Sequence, residues 1–353
     1  MERIPLETQT LYAELLEQLT VLEAQRSIGS LKGGFTTKAN RGQTYYYFQY
    51  SEPGGVRKQL YIGKESPALT KLVKSWESEQ DVVRADQQSI QRLCAQLRVG
   101  GAITTNHAHA RVLRGLADAG VFRMGGVLVG THAFAAMGNM LGIHWERAGL
   151  QTQDVDIASE RNLDLVLPDQ DAMDLPDTLE RLQMGFLPVP ALKPDQPSTS
   201  FKVRKSPLTV DVLTPARKRS EEYRTVNLPK FGTKGQALLY LDYLIENPQP
   251  AVVINGGGVL VNVPDPARYA LHKMIVAEQR STAEHAKRNK DLRQAVLLIS
   301  LLAEERPGDL MFAWEKLVER GPAWVGKFRK GLRGFLQSAP QMGEHVAFMM
   351  ADE

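Results

Sequence analysis

Three aspartates and one glycine-threonine turn have the residue types and spacing to do chemistry in this chain. In Asp154-Val155-Asp156-Ile157 the two carboxylates are separated by one residue. On a strand both point to the same side, where they can share divalent cations through oxygen ligands. Triplets of this kind also occur in plain loops, so the pair alone leaves both readings open. Asp211 lies between Val210 and Val212 in the apolar run Leu208 to Leu213, where an unpaired carboxylate is expensive to bury and a metal ion would relieve the cost. The run Val127-Leu128-Val129 ends in Gly130-Thr131 and leads into an Ala-rich segment with good helix propensity. Amides at such a helix N-terminus favour a phosphate, although a glycine there also serves as a simple tight bend.

The elements that hold these residues are legible in outline. Leu11, Leu15, Leu19 and Leu22 set one apolar stripe on a helix that ends near Ser27. Between Gly29 and Gly63 short aromatic and polar runs broken by glycine predict an antiparallel meander, with Glu52-Pro53-Gly54-Gly55 as a hairpin turn. Ser66-Pro67 opens a helix that continues, bent or interrupted, toward Leu97. A further helix is expected from Asn106 to Asp118. After Gly120 the chain reads as a new domain: strand Val127 to Val129, helix Thr131 to Leu141, runs Val155 to Ile157 and Leu163 to Leu167, and a helix around Leu175 to Gln183. A proline-rich loop from Pro188 to Ser200 precedes a hairpin of Phe201 to Val203 with Leu208 to Leu213. A second hairpin, Ala251 to Asn255 with Val259 to Val263, turns through three glycines. From Pro266 onward the pattern is helical: Ala267 to Arg280, Ala283 to Ala303 and Gly308 to Arg320. The expected fold class is mixed α/β (α+β), with an accessory module at 1–119, a core at 120–265 and a helical domain at 266–353.

Composition excludes several classes. A chain of 353 residues with 43% hydrophobic and 24% charged residues is globular, with room for two or three domains. The single cysteine, Cys94, cannot form an internal disulfide, and the polar start MERIPLETQT lacks a signal-peptide core, so a cytoplasmic location is expected. No run reaches the length of a membrane span. The net charge of +3 makes no global case for nucleic acid, but the meander is locally basic. Lys32, Lys38, Arg41, Arg57, Lys58 and Lys64 stand against Glu52 and Glu65 and interleave with Tyr45, Tyr46, Tyr47, Phe48, Tyr50 and Tyr61. That mixture suits phosphate contact and base stacking, and equally a small sheet with an aromatic core and solvated lysines. The glycines at 256–258 precede no Lys-Ser or Lys-Thr and form no P-loop. His107, His109 and His132 lack metal-ligand spacing with cysteine, and Trp314 and Trp324 read as packing aromatics.

The order of these features resembles the nucleotidyltransferase domain of the DNA polymerase β superfamily: Gly-Thr turn, helix, Asp-X-Asp strand, lone aspartate on a later strand. It is more closely similar to bacterial nucleotidyltransferase-like proteins related to the AbiEii and minimal-nucleotidyltransferase groups. The stretches Val261-Asn262-Val263-Pro264-Asp265-Pro266, Arg268-Tyr269-Ala270-Leu271-His272-Lys273 and Arg288-Asn289-Lys290-Asp291-Leu292 look like the helical motifs of those groups, and the similarity covers about Gly120 to Trp324. The resemblance implies that Gly130 and Thr131 hold a nucleoside triphosphate, that Asp154 and Asp156 coordinate two Mg²⁺ ions, and that Asp211 binds the metal nearer the attacking hydroxyl. It places Lys273, with Arg280 two helical turns on, and then Lys290 and Asp291, toward the nucleotide. For Lys273 a solvated helix lysine, and for Lys290 with Asp291 a charge pair bracing two helices, are the competing readings. The chain departs from the pattern in having Gly-Thr for Gly-Ser or Gly-Gly, and in the long gaps from Gly130 to Asp154 and on to Asp211. The implied activity is Mg²⁺-dependent transfer of a nucleotide to an acceptor hydroxyl of RNA, such as tRNA, or of protein, with a cognate regulatory partner also implied. The rivals are a catalytically silent nucleic-acid-binding protein and a nucleotide-sensing module of the same fold.

Overall fold

The computed structural model of the chain describes residues 1–24, 33–40, 42–51, 57–145, 150, 152–161, 173–190 and 198–350. Strand β1 (Glu2–Arg3) precedes helix α1 (Leu6–Ala24). Strands β2 (Gly34–Asn40), β3 (Gln43–Ser51) and β4 (Arg57–Lys64) form the expected antiparallel meander. Helix α2 (Pro67–Val99) follows, with Ser66 accepting from the Leu69 amide at 3.2 Å and proline at its first position. It is one continuous helix of 33 residues. Its first turns bury Val73 and Trp76 under the meander and its last turns bury Ile90, Leu93, Cys94 and Leu97 under α1. Helix α3 (His107–Asp118) is capped by Asn106.

The part of the chain that carries the aspartates is a mixed sheet covered by helices. In chain order it comprises β5 (Val127–Val129), α4 (Gly130–Met140), β6 (Ile143–His144), β7 (Asp154–Ala158), α5 (Leu175–Arg181), β8 (Phe186–Pro188), β9 (Ser200–Val203), β10 (Thr209–Pro215), β11 (Thr225–Leu228), β12 (Thr233–Leu238) and α6 (Leu241–Ile245). A hairpin of β13 (Gln249–Val253) and β14 (Val259–Val263) leads into helices α7 (Pro266–Gln279), α8 (His285–Glu305), α9 (Pro307–Val318) and α10 (Pro322–Ser338). Strand β10 is the hub. Strand β7 runs parallel along one edge, and the other edge is shared by antiparallel β9 at Thr209 to Asp211 and parallel β12 at Leu213 to Pro215. Strand β5 closes the far side, antiparallel to β7.

One core of buried side chains runs from Ile103 to Met349 and includes the inner faces of β7 and β10. A second, smaller core joins α1 and the end of α2 to Val252 and Ile254, and the Tyr12 hydroxyl accepts from the Val252 amide at 3.0 Å across that seam. Among the described residues no helix is long and apolar enough to cross a membrane. The expected run Leu163 to Leu167 and the turn Glu52 to Gly55 lie outside the described residues.

Candidate active site

In β7 the apolar residues Val155 and Ile157 are fully buried, so the alternation turns Asp154 and Asp156 to the opposite face. Strand β10 repeats the pattern: Val210 and Val212 are buried, and Thr209 and Asp211 take the other side. The parallel register pairs Asp211 with Asp156 and Thr209 with Asp154. Cross-strand partners share a face, with neighbouring strands about 4.8 Å apart, so the three carboxylates occupy one patch of the sheet despite the long insertions between them. Two of them are oriented by hydroxyls from the adjoining strand. Thr209 Oγ1 donates to Asp154 Oδ1 at 2.6 Å, and the Ser200 side chain, in register on β9, hydrogen-bonds to Asp211. Burial, with the charges of Asp211 and Asp154 added, pushes the Asp156 carboxyl up to about 7, against the pull of Lys273 and Lys290. Burial raises Asp211 as well; the Ser200 hydrogen bond and Lys287 oppose this, and Asp154 adds to it.

The Gly130 turn meets this patch directly. Gly130 has φ +65°, a left-handed conformation that lets β5 break straight into α4. Val129 is the cross-strand partner of Asp156, and a Cβ on Gly130 would run into Asp156 Oδ2. Glycine is therefore required twice, for backbone angle and for space. No side chain caps the α4 N-terminus, so no side-chain oxygen competes for its first amides. Thr131 is buried, and its hydroxyl accepts from Lys290 Nζ at 3.1 Å, which leaves its own proton to donate.

Helices α7 and α8 supply the cations. Lys273 on α7 is not a solvated surface lysine: its ammonium donates to Asp291 Oδ1 at 2.6 Å and lies 5.1 Å from the Tyr269 ring centre. Arg280 Nε reaches Asp291 Oδ2 at 3.2 Å. Asp291, only 1% exposed, thus braces α7 to α8 through both oxygens. Burial would raise its pKa, but Lys273 and Arg280 outweigh that and hold it below the usual carboxylate range. Lys273 still contributes its field at Asp156. Arg280 is the more distant of the pair and also binds Glu284 Oε1 at 3.0 Å. Lys290 is the cation that touches the turn itself, and burial beside Lys273 lowers its pKa. The Tyr269 hydroxyl lies 2.9 Å from the Gly130 carbonyl and ties α7 to the same turn.

Four contributors escape the sequence reading. Thr209 has a signal, being two residues before Asp211 on the same strand face. Lys287 also has one, three residues before Lys290 on the same helix face. Ser200 has none, because only the β9–β10 register brings it to Asp211. Tyr269 lies inside a motif already singled out, but nothing in its spacing shows that it reaches Gly130. Behind the turn, His109 and His132 pack ring to ring at 4.7 Å. Asn106 Nδ2 donates to His109 Nδ1, so Nε2 carries the proton toward the Gln153 carbonyl at 3.3 Å, beside Asp154. Burial, His109 and Lys290 push His132 down to about 3.

The donor set is all oxygen, and it suits a hard divalent cation: three aspartates on one face, two of them held by hydroxyls, with a glycine cradle whose missing Cβ keeps Asp156 in place. Among the described residues no group of three or more His, Cys, Asp or Glu side chains is placed to hold a metal ion by itself. Lys38, Arg57, Lys58 and Lys64 lie on the meander, joined to the rest through α2, and Lys32 and Arg41 lie outside the described residues.

No curated protein matches the chain. Among solved structures it is similar to an antigenic nucleotidyltransferase-like protein from Paracoccidioides brasiliensis, at 16% identity and a TM-score of 0.30, over 64% of this chain and 94% of that one. A family model described as nucleotidyltransferase matches residues 107–319, from the first residue of α3 to just past α9. That stretch is 213 of the 353 residues and contains Gly130, the three aspartates, Lys273, Lys290 and Asp291. By this match, which spans more than half of its length, the chain belongs to the nucleotidyltransferase family.

Proposed function

We propose that this nucleotidyltransferase moves a nucleotide from a nucleoside triphosphate to an acceptor hydroxyl, with Asp154, Asp156 and Asp211 holding two Mg²⁺ ions. The observation that carries the reading is the register of Asp211 against Asp156 on parallel β10 and β7, with Gly130 pressed against Asp156 from the third strand. Bound cations would lower the pKa of the acceptor hydroxyl and neutralise charge on the departing pyrophosphate. The chain's own residues do the rest. The α4 amides and the Thr131 hydroxyl bind the phosphates, and Lys290 adds a positive charge at the same turn. Lys273 sets the local field while Asp291 and Arg280 fix its position. Thr209 and Ser200 hold two carboxylates in one orientation, so binding requires little reorganisation.

The test is incubation with each labelled triphosphate, Mg²⁺ and either total RNA or lysate protein, followed by separation of labelled products. Asp156→Asn, which removes a metal charge and keeps the shape, is expected to abolish labelling without lowering the melting temperature, since it also removes a buried, repelled carboxylate. Labelling by that variant at the wild-type rate overturns the assignment. Triphosphate binding without labelling of any acceptor supports the nucleotide-sensing alternative instead.

A further inference from the structure

The meander has two unlike faces. Register pairs Phe35 with Phe48, and both rings pack edge-on against Trp76 of α2, at 5.4 and 6.1 Å between centres. Trp76 covers that face at Phe35 and Phe48, while Leu60 at its edge is 58% exposed. On the other face the register sets Lys38 opposite Tyr45, Tyr45 opposite Lys64, Tyr47 opposite Tyr61, and Arg57 opposite Ser51. The ring geometry agrees: Tyr61 lies 5.5 Å from Tyr47 and 6.3 Å from Tyr45, and Lys38 Nζ stands 4.7 Å from the centre of the Tyr47 ring. Tyr61 is 55% exposed. The three strands contain no acidic residue. The faces thus differ: Phe35, Phe48 and Trp76 pack on the inner one, together with Tyr46, Tyr50 and Lys58, and Tyr45, Tyr47 and Tyr61 stand with Lys38, Arg57 and Lys64 on the outer one.

We propose that this outer face binds single-stranded nucleic acid, with Tyr45, Tyr47 and Tyr61 as stacking surfaces and Lys38, Arg57 and Lys64 on the phosphates. A patch without carboxylates complements a polyanion, and the exposed Tyr61 ring, with the half-buried Tyr45 and Tyr47 rings beside it, complements unpaired bases, whereas the stacked bases of a duplex offer no faces. Lys58 pairs with Tyr50 and falls on the opposite face, so it is excluded from the surface. The meander packs near the start of α2, and the helix meets the main body through Ile90 to Leu97, about 30 Å further along. The role of a bound strand as the acceptor rests on the transfer reading above; the binding itself does not.

Fluorescence anisotropy of labelled oligo(U) and oligo(dT), read on the full chain at two salt concentrations, tests this. Tyr61→Ala is expected to weaken binding about fivefold to a hundredfold, as loss of one stacked base does. Neutralising Lys38, Arg57 and Lys64 to glutamine should lower the slope of log affinity against log salt by about 2, at about 0.7 for each neutralised phosphate partner. Lys58→Gln serves as the opposite-face control and should leave affinity unchanged, as should Asp156→Asn, which separates binding from transfer. Preference for oligo(U) over oligo(dT) identifies the natural ligand as RNA, and equal binding as either strand; both agree with the proposal. It is overturned if the wild type binds neither oligonucleotide, if a duplex binds as well as a single strand, or if the Tyr61 and triple variants behave as wild type.

Discussion

Replacing Gly130 by alanine separates the fold from the chemistry. At φ +65° an alanine costs about 1–2 kcal/mol of backbone strain. Its Cβ would collide with Asp156 Oδ2, the free end of a side chain, so the carboxylate can retreat by about an ångström to ordinary van der Waals distance without moving the sheet. Stability should therefore fall by about 1–2 kcal/mol and no more. The displaced atom, however, belongs to the central carboxylate of the patch, and a misplacement of about an ångström costs about a hundredfold in rate. Gly142→Ala is the matched control: φ is +68°, and its Cβ meets the Gln9 side chain, far in sequence from the carboxylates. Urea unfolding and nucleotidyl transfer measured on both variants should give similar stability losses, with a rate loss of about a hundredfold or more for Gly130→Ala alone. Wild-type transfer by Gly130→Ala, or equal rate losses in the two variants, would refute the placement of Asp156 at the reacting phosphate.

Thr209→Val removes the hydroxyl on Asp154 without changing shape, and is expected to weaken divalent-cation affinity about tenfold to a hundredfold, read by titration of Mn²⁺; an unchanged isotherm contradicts the orienting role. Asp291→Asn leaves Lys273 and Arg280 facing a neutral group and should destabilise the chain by about 3 kcal/mol or more in urea unfolding, whereas a loss under about 1 kcal/mol would mean that the brace contributes little. His132 has its pKa lowered from 6.5 to about 3 in the folded chain, so below 6.5 the unfolded chain binds a proton that the folded one does not, and stability falls as pH drops through that window. Asp156 has the opposite sign, because its raised pKa makes the folded chain take up a proton first on acidification, so the wild-type profile alone mixes the two. The difference between wild type and His132→Gln isolates the histidine, and should shrink by about 2 kcal/mol between about pH 7.5 and about pH 5. A pH-independent difference would show that the buried ring carries no such cost.

The elements that carry the site are written in local pattern. Val155 and Ile157, like Val210 and Val212, alternate with the aspartates at period two, and that alone assigns both strands and the side each carboxylate takes. Gly130 ends a buried run and opens an Ala-rich helix, and Ser66-Pro67 and Asn106 announce two helix starts by cap chemistry. The meander is equally legible, because glycines punctuate runs of β-forming aromatics. What local pattern does not contain is pairing. Strands β11 and β12 are short, divided by Pro229 and Gly232, and too polar to show a period; β12 exists because the open half of the β10 edge satisfies its backbone groups, and β11 because β12 offers it an edge in turn. The match of Asp211 with Asp156 depends on β10 entering beside β7 after fifty residues of intervening chain, and no spacing encodes that register. Burial was also decided in three dimensions. The sequence leaves Lys273 open between a nucleotide contact and a solvated lysine, and Asp291 between a nucleotide contact and a helix brace; only the packing of α7 on α8 removes them from water and forces them to pair. The inner face of the meander is likewise identified only by Trp76 packing on Phe35 and Phe48. Alternation, caps and turns are properties of neighbours along the chain, whereas register, burial and convergence are set by interactions between residues far apart in it.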